Sequence, residues 1–239
     1  MKLSIILRCF NRLEYTIRTI VSIDKNCGLS KDDYEIICID QKSSDGTREW
    51  LDFNSKEKYY PIKFILLDDN IGDGRGMQAG IDIAKGEYIA QHDNDLELVT
   101  PDYFLKLISL YRDLEKREFK VCAVSGSHRQ GIDIDAKPHK FAKVRYSKNF
   151  VEGNRPGYIV SWVHGSFIFK EKFIRLLKFD KKGCNSWAST WWDRGYINFN
   201  CMNINFWHID SKQTGAHVLG QAKKFPSYGY VKTHYRRFI

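Results

Sequence analysis

Short apolar runs alternate with helical patterns through the first half of the chain. Residues 3–8 read as a buried strand, with Leu3, Ile5, Ile6 and Leu7 apolar and two of them β-branched. Asn11 stands three residues before Glu14, the spacing of a capping box, and Leu13, Ile17, Ile20 and Val21 follow at helical intervals. A second strand over 34–40 ends on Asp40, and Ser43-Ser44-Asp45-Gly46-Thr47 makes a turn into a helix that carries Trp50 and Leu51. A third strand spans 62–67. A weaker helix over 76–84 has Met77, Ile81 and Ala84 on one face, and a fourth strand over 87–92 runs into Asp93-Asn94-Asp95. Thr100 as cap and Pro101 in the first turn open a helix whose buried stripe is Phe104, Leu107, Ile108, Tyr111 and Leu114. Residues 121–124 form a fifth strand.

This alternation implies βαβ units and an α/β fold with a mostly parallel central sheet flanked by helices. Ligands of such sheets gather at the carboxyl ends of the strands. Asp40 and Asp93 both fall at or just beyond such ends. The pattern then changes. Residues 126–157 are polar and basic with little periodicity, the mark of a functional loop. Strands over 159–163 and 166–169 follow, then a short helix with Phe173, Ile174 and Leu177. An aromatic segment from Trp187 to Trp192 precedes Asp193. No repeat, low-complexity tract or linker divides the 239 residues, so one domain is expected.

Composition narrows the picture only a little. Six scattered cysteines, without a CxxC pair, argue against a zinc cluster or a disulfide framework. No run approaches the 20 or so apolar residues of a membrane span, and no signal-peptide pattern follows Met1, so a cytoplasmic location is expected. The formal charge of +9 calls for an anionic partner. Basic residues are spread along the chain, with one dense end at Lys223-Lys224 and Arg236-Arg237. That spread favours a phosphorylated small molecule or a peripheral contact with the inner face of a membrane over nucleic acid.

Asp93-Asn94-Asp95 places two carboxylates one residue apart just after a buried strand. Magnesium or manganese takes one or two protein carboxylates and completes its shell with water and phosphate oxygens. A solvated acidic turn would look the same in isolation. The surrounding motifs resolve the choice.

Ser4-Ile5-Ile6-Leu7-Arg8-Cys9-Phe10-Asn11-Arg12 resembles the opening strand and loop of family 2 glycosyltransferases. Residues 36–47, running through Asp40-Gln41 to Gly46-Thr47, are similar to that family's second strand and donor-base loop. Asn70-Ile71-Gly72, Arg75, Gly80, Ala84-Lys85-Gly86-Glu87 and Asp93-Asn94-Asp95 keep its order and spacing over residues 3–98. From Gly165 to about Gly220 the likeness is looser. The resemblance implies a GT-A fold, with residues 1–98 as the nucleotide-sugar half and 99–239 as the acceptor half. It also implies inverting transfer of a sugar from a nucleoside-diphosphate donor, a UDP-sugar by preference, with Mn2+ or Mg2+. The acceptor would be a hydroxyl of a glycan or of a lipid-linked saccharide.

Carried over residue by residue, the resemblance puts Asp40, Gln41, Arg75, Asp93 and Asn11 on the donor. Asp95 becomes the firmer metal ligand, with Asp93 and His217 beside it. Gln41 stands where many relatives have a second acidic residue, which leaves the base open. Of three acidic candidates in the second half, Asp180, Asp193 and Asp210, Asp193 is expected to deprotonate the acceptor from the start of a helix. Trp192 replaces the usual glutamate before it. Trp191, Trp192 and His164 are expected on the acceptor side, although a tryptophan cluster is also ordinary core filling. Two rivals stand beside this reading: a non-catalytic nucleotide-sugar-binding protein, and a nucleotidyltransferase, whose Gly-rich first loop is not found at Cys9-Phe10-Asn11-Arg12.

Overall fold

The computed structural model describes residues 1–129, 148–152, 155–160, 163, 165–176 and 184–209. Its elements in chain order are β1 (Leu3–Cys9), α1 (Leu13–Asn26), β2 (Tyr34–Gln41), α2 (Thr47–Glu57), β3 (Ile62–Leu67), α3 (Asp73–Ile83), β4 (Tyr88–Asp93) and β5 (Leu96–Leu98). They continue with α4 (Tyr103–Lys116), β6 (Val121–Arg129), β7 (Lys148–Glu152), β8 (Arg155–Val160), β9 (Ser166–Lys170), α5 (Lys172–Leu176), α6 (Cys184–Asp193) and β10 (Ile197–His208). Among the described residues the strands form one sheet in the order β3-β2-β1-β4-β9-β6-β10-β8-β7, with β5 on β10.

Strands β3, β2, β1 and β4 are parallel, as their apolar runs predict. The second half departs from that pattern. Strand β9 runs antiparallel between β4 and β6, and β7 and β8 are antiparallel additions at the edge, so the sheet is mixed. Strand β6 continues to Arg129, β7 lies within 126–157 and β8 begins there before running on to Val160, so part of a stretch expected to be loop is strand. Their pairing is with β10 and with each other, a relation that the local pattern of polar residues does not display.

Alternation along the strands divides the core in two. Leu3, Ile5, Leu7 and Cys9 face Ile17, Ile20, Trp50, Leu51, Phe104 and Leu107 from α1, α2 and α4. Ile6, Ile37, Ile39 and Ile89 face Met77, Ile81, Phe173, Trp187 and Trp191 from α3, α5 and α6. The result is a three-layer sandwich with both sheet faces covered. Among the described residues no helix is long and apolar enough to cross a membrane. The described cysteines, Cys9, Cys27, Cys38, Cys122 and Cys201, are free and buried.

Two helix starts differ from expectation. Asn11 does not cap α1: the cap position is Arg12, in the left-handed conformation, and Asp45 Oδ2 accepts the Leu13 N–H at 2.8 Å. Helix α4 starts at Tyr103 after Asp102, not at Thr100-Pro101. Thr100 Oγ1 instead accepts the Asn205 N–H at 2.7 Å and ties the helix start to β10.

The amino edge of the parallel strands is locked by one buried carboxylate. Glu35 accepts from Ser4 Oγ at 2.6 Å, Lys63 Nζ at 2.6 Å and the Lys85 N–H at 2.8 Å. Ser4 Oγ also accepts the Gly86 N–H, and a Cβ on Gly86 would strike the Ser4 backbone nitrogen, so only glycine lets the chain pass this close. Burial alone would raise the Glu35 carboxyl, but Lys63, Ser4 and the Lys85 amide outweigh it and hold it below the ordinary value of 4.5. The native state therefore binds fewer protons than the unfolded chain in this window. Its contribution is whole above the unfolded pKa and drains as pH falls through the folded one. Glu35→Gln should cost about 1–3 kcal/mol at neutral pH. Urea midpoints measured between about pH 6 and pH 3 should show the gap from wild type narrowing as pH falls.

Candidate active site

The opposite, carboxyl edge collects the residues that the sequence marks for chemistry. The loop after β1 and the loop after β2 are tied together there. The Asn11 N–H donates to Ser43 Oγ at 2.8 Å, and Asn11 Oδ1 accepts the Ser44 N–H at 2.9 Å. Asn11 and Arg12 both have positive φ, at 57° and 63°. Consecutive left-handed residues bearing side chains are uncommon, and such strained backbone concentrates at functional sites.

Asp40, the next-to-last residue of β2, is wholly buried. Its Oδ1 accepts the Ser43 N–H at 3.1 Å and Arg48 Nε at 2.6 Å, while its buried Oδ2 has no hydrogen-bond partner. Arg48, in the first turn of α2, also donates to the Leu67 carbonyl and so joins the ends of β2 and β3. Gln41 points to the other face. Its Oε1 accepts the Ile71 N–H at 3.1 Å, and its amide packs beside Gly76 of α3. Arg75 is exposed in the first turn of α3.

Asp93 ends β4 and accepts from Arg8 Nη2, and Arg8 Nη1 also lies 3.3 Å from Asp73. Asp95 is nearly buried. Its Oδ2 lies 3.1 Å from Arg12 Nη1 and 3.3 Å from His208 Nε2, and its carbonyl accepts the Ile209 N–H at 2.9 Å. Between them Asn94 Nδ2 donates to Thr16 Oγ1 at 3.1 Å. The neighbouring His92 is fully buried; desolvation lowers its pKa to about 4, against the opposing pull of Asp93, so the ring is neutral at physiological pH.

Asn11, Asp40, Gln41, Asp93 and Asp95 thus share one edge of the sheet, and Arg75 lies on the first turn of the helix that leaves it. Four residues given no role, or only a weak motif, by sequence reasoning join them: Arg8, Arg12, Arg48 and His208. Arg8 and Arg12 fall within the family-like strand and loop from Ser4 to Arg12, and that placement is the signal the sequence offers for them. His208 carried no signal, because only the pairing of β10 with β5 brings it beside Asp95. His217 and His164, expected near the metal and the acceptor, lie outside the described residues, as do Asp180 and Asp210.

Of the acceptor-side residues, the described ones, Asp193, Trp191 and Trp192, fall away from this edge. Strand β10 is parallel to β6 and starts with Ile197 beside Val121, and β6 runs parallel to β4 across the antiparallel β9. Residues just before Ile197 therefore lie at the amino edge, away from Asp93 by the length of β4. Asp193 is there, exposed as the last residue of α6 rather than the first of a helix. The turn at Gly195-Tyr196 ends that helix and launches the strand. Trp191 is a core side chain, 4.9 Å from Phe173 and 5.3 Å from Tyr196 between ring centres. Trp192 is partly buried against the opposite core cluster. Neither tryptophan forms a sugar platform at the carboxyl edge.

A divalent cation at this edge would draw on these groups. Among the described residues no three His, Cys, Asp or Glu side chains converge as a ready cage. A complete cage is not what such ions need at a phosphate site, where one or two carboxylates suffice. Asp95 and His208 bring an oxygen and a nitrogen within 3.3 Å of each other, with Asp93 two residues upstream of Asp95. The donor chemistry fits Mn2+ or Mg2+.

Fold and edge together define a GT-A type α/β protein. The match to the family model described as Glycosyl transferase family 2 spans residues 4–176, and the chain belongs to that family. A poly(ribitol-phosphate) beta-glucosyltransferase of Bacillus spizizenii is 38% identical over 96 residues, 40% of this chain and 15% of that relative. A mannosyltransferase of Pyrobaculum calidifontis, solved with GDP-Man and Mn2+, superposes with a TM-score of 0.66 at 15% identity over 89% of this chain and 58% of that one. S. aureus TarS with UDP-GlcNAc gives 0.61 at 15% identity over 88% of this chain and 61% of that one. The chain thus spans only part of these relatives, and the two structural likenesses establish the fold alone.

In the Arg48–Asp40 pair the carboxylate is the most deeply buried of the three paired at this edge. Arg48→Met strands a carboxylate in the interior and should lower stability by about 3–5 kcal/mol. Urea unfolding at neutral pH measures it; a loss under 1 kcal/mol would mean that Asp40 finds another counter-charge.

Proposed function

We propose that this protein transfers a sugar from a nucleoside-diphosphate donor to an acceptor hydroxyl, with a divalent cation and with inversion at the anomeric carbon. The observation that carries the reading is the convergence of Asp40, Asp93 and Asp95, each beside an arginine, at the carboxyl edge of a family 2 sheet. Asp40 offers the unpartnered Oδ2 to an N–H of the base or a hydroxyl of the ribose. Gln41 and Asn11 shape the loops around it. Asp93 takes a ribose hydroxyl or shares the cation, and Arg75 approaches the base or the phosphates. Asp95, with His208, holds the cation, which when bound offsets charge developing on the departing diphosphate.

In the transfer, the acceptor oxygen bonds to the anomeric carbon as that carbon's bond to the diphosphate oxygen breaks. The acceptor proton passes to a base. Asp193 lies at the amino edge, which speaks against it for that step, and Asp180 and Asp210 are the other candidates for it. Relatives solved with UDP-GlcNAc and with GDP-Man support a nucleotide-sugar donor, and a UDP-sugar is our first choice. The poly(ribitol-phosphate) relative supports a bacterial surface polymer or its lipid-linked precursor as acceptor. The charge of +9 suits a peripheral contact at the inner face of a membrane.

A thermal-shift screen of UDP- and GDP-sugars with and without Mn2+ tests the donor; a donor that stabilises only with the cation names the base. Release of free nucleoside diphosphate in the presence of acceptors separates an enzyme from a binding protein. Asp95→Asn should lower turnover on the order of 10²-fold or more. Asp193→Asn should leave turnover within about threefold of wild type, since removing a general base costs about 10²–10⁴. A loss in that range would restore Asp193 to the mechanism.

A further inference from the structure

Arg12 holds the least comfortable position at this edge. Its backbone is left-handed, at φ 63° and ψ 46°, directly after Asn11 in the same region. From there its guanidinium reaches Asp95 Oδ2 at 3.1 Å and lies 5.8 Å from the centre of the Tyr15 ring. The Asp95 side chain is 5% exposed and that of Arg12 is 23%, so the carboxylate is the deep partner and the guanidinium the accessible one. His208 Nε2 approaches the same oxygen at 3.3 Å. Arg12 therefore lies against the very oxygen that a cation held by Asp95 and His208 would use.

Arg8 is differently placed. It is 10% exposed and shared between Asp73 and Asp93, so both of its carboxylate partners remain available when a ligand arrives. Among the described residues Arg12 pairs with one carboxylate, that of Asp95, and loses it if a cation takes Asp95.

We propose that Arg12 is an exchangeable counter-ion, which neutralises Asp95 until a divalent cation binds and then transfers its pairing to the donor diphosphate. The inference rests on the reading of Asp95 as a cation ligand. A cation and a guanidinium cannot share one buried carboxylate oxygen without strong repulsion, because Coulomb energies are large where water is scarce. A diphosphate relieves that repulsion, since its oxygens accept a guanidinium fork as readily as a carboxylate does. Cation and nucleoside diphosphate then bind cooperatively, and Arg12 sets part of the coupling. The exchange also keeps the cation from settling in the site ahead of the donor.

The test is a Mn2+ titration of the full chain, with free Mn2+ followed by electron paramagnetic resonance, with and without UDP and corrected for Mn2+ bound by UDP in solution. Wild type should bind Mn2+ weakly alone and about tenfold or more tightly with UDP, within the usual range of coupling between sites. Arg12→Met should bind Mn2+ alone about tenfold more tightly than wild type and lose most of the UDP effect, while Arg12→Lys keeps the wild-type pattern. A purely structural role for Arg12 would not tighten cation binding. Arg12→Gln, which keeps a donor without charge, stands in if Arg12→Met fails to fold and should behave like it. Mn2+ affinity that is unchanged or weaker in a folded, uncharged variant overturns the exchange but leaves the cation site standing. If both uncharged variants unfold, wild type decides: Mn2+ binding indifferent to UDP overturns the exchange. Absence of Mn2+ binding to wild type even with UDP overturns the cation reading, and the exchange with it.

Discussion

Carboxylates placed at the ends of buried strands demand opposite charge, and the architecture of this protein's working edge follows from that demand. Asp40 is met by Arg48 from α2, Asp93 by Arg8 from β1 itself, and Asp95 by Arg12 from the loop that opens α1. Each arginine comes from a different element, so the pairs tie neighbouring elements together as well as balancing charge. Arg48 also reaches β3 through the Leu67 carbonyl, and the Asn11–Ser43–Ser44 bonds join two loops that would otherwise move separately. A site held this way is organised before its ligand arrives, and little ordering remains for binding to supply.

The two edges of the sheet divide the labour. At the amino edge a single glutamate gathers a serine, a lysine and a backbone amide into one network. At the carboxyl edge, Asp40 Oδ2 is left without a partner and the Asp95 carboxylate has its neutralising group on the exposed side. Polar groups satisfied within the fold stabilise it; those left waiting, or held by an exchangeable neighbour, are available for chemistry. The mixed sheet extends the second kind of surface. Strand β10 crosses from β8 to β5 and delivers His208 to Asp95 although more than a hundred residues separate them in sequence.

Much of this was legible from residues 3–98. Strands β1, β2 and β4 are buried on both faces, so they read as largely apolar runs, and acidic residues mark the ends of β2 and β4. The second half is harder because its cues are relational. Strand β9 takes its direction from the two strands it joins, and β5 is three residues long. Asp193 was misplaced for a specific reason. The motif before it reads as the entrance of a helix, whereas Gly195-Tyr196 makes it the exit, and that reversal carries the residue to the opposite edge, the length of a strand away. Trp191 followed it, from an expected sugar platform into ring contact with Phe173. The arginines were visible but mute, since an isolated arginine in sequence is most often a surface residue and only distances reveal its partner.

The central claim is that one edge of this sheet is the binding edge, and hydrogen–deuterium exchange of the full chain with UDP and Mn2+ tests it most directly. The account predicts slowed exchange in the segments 9–13, 40–48, 68–76, 93–96 and 206–209, with no change across the Ser4–Glu35 network or the end of α6 around Asp193. Protection centred on that opposite end, with the segments around Asp40 and Asp95 unchanged, would contradict it.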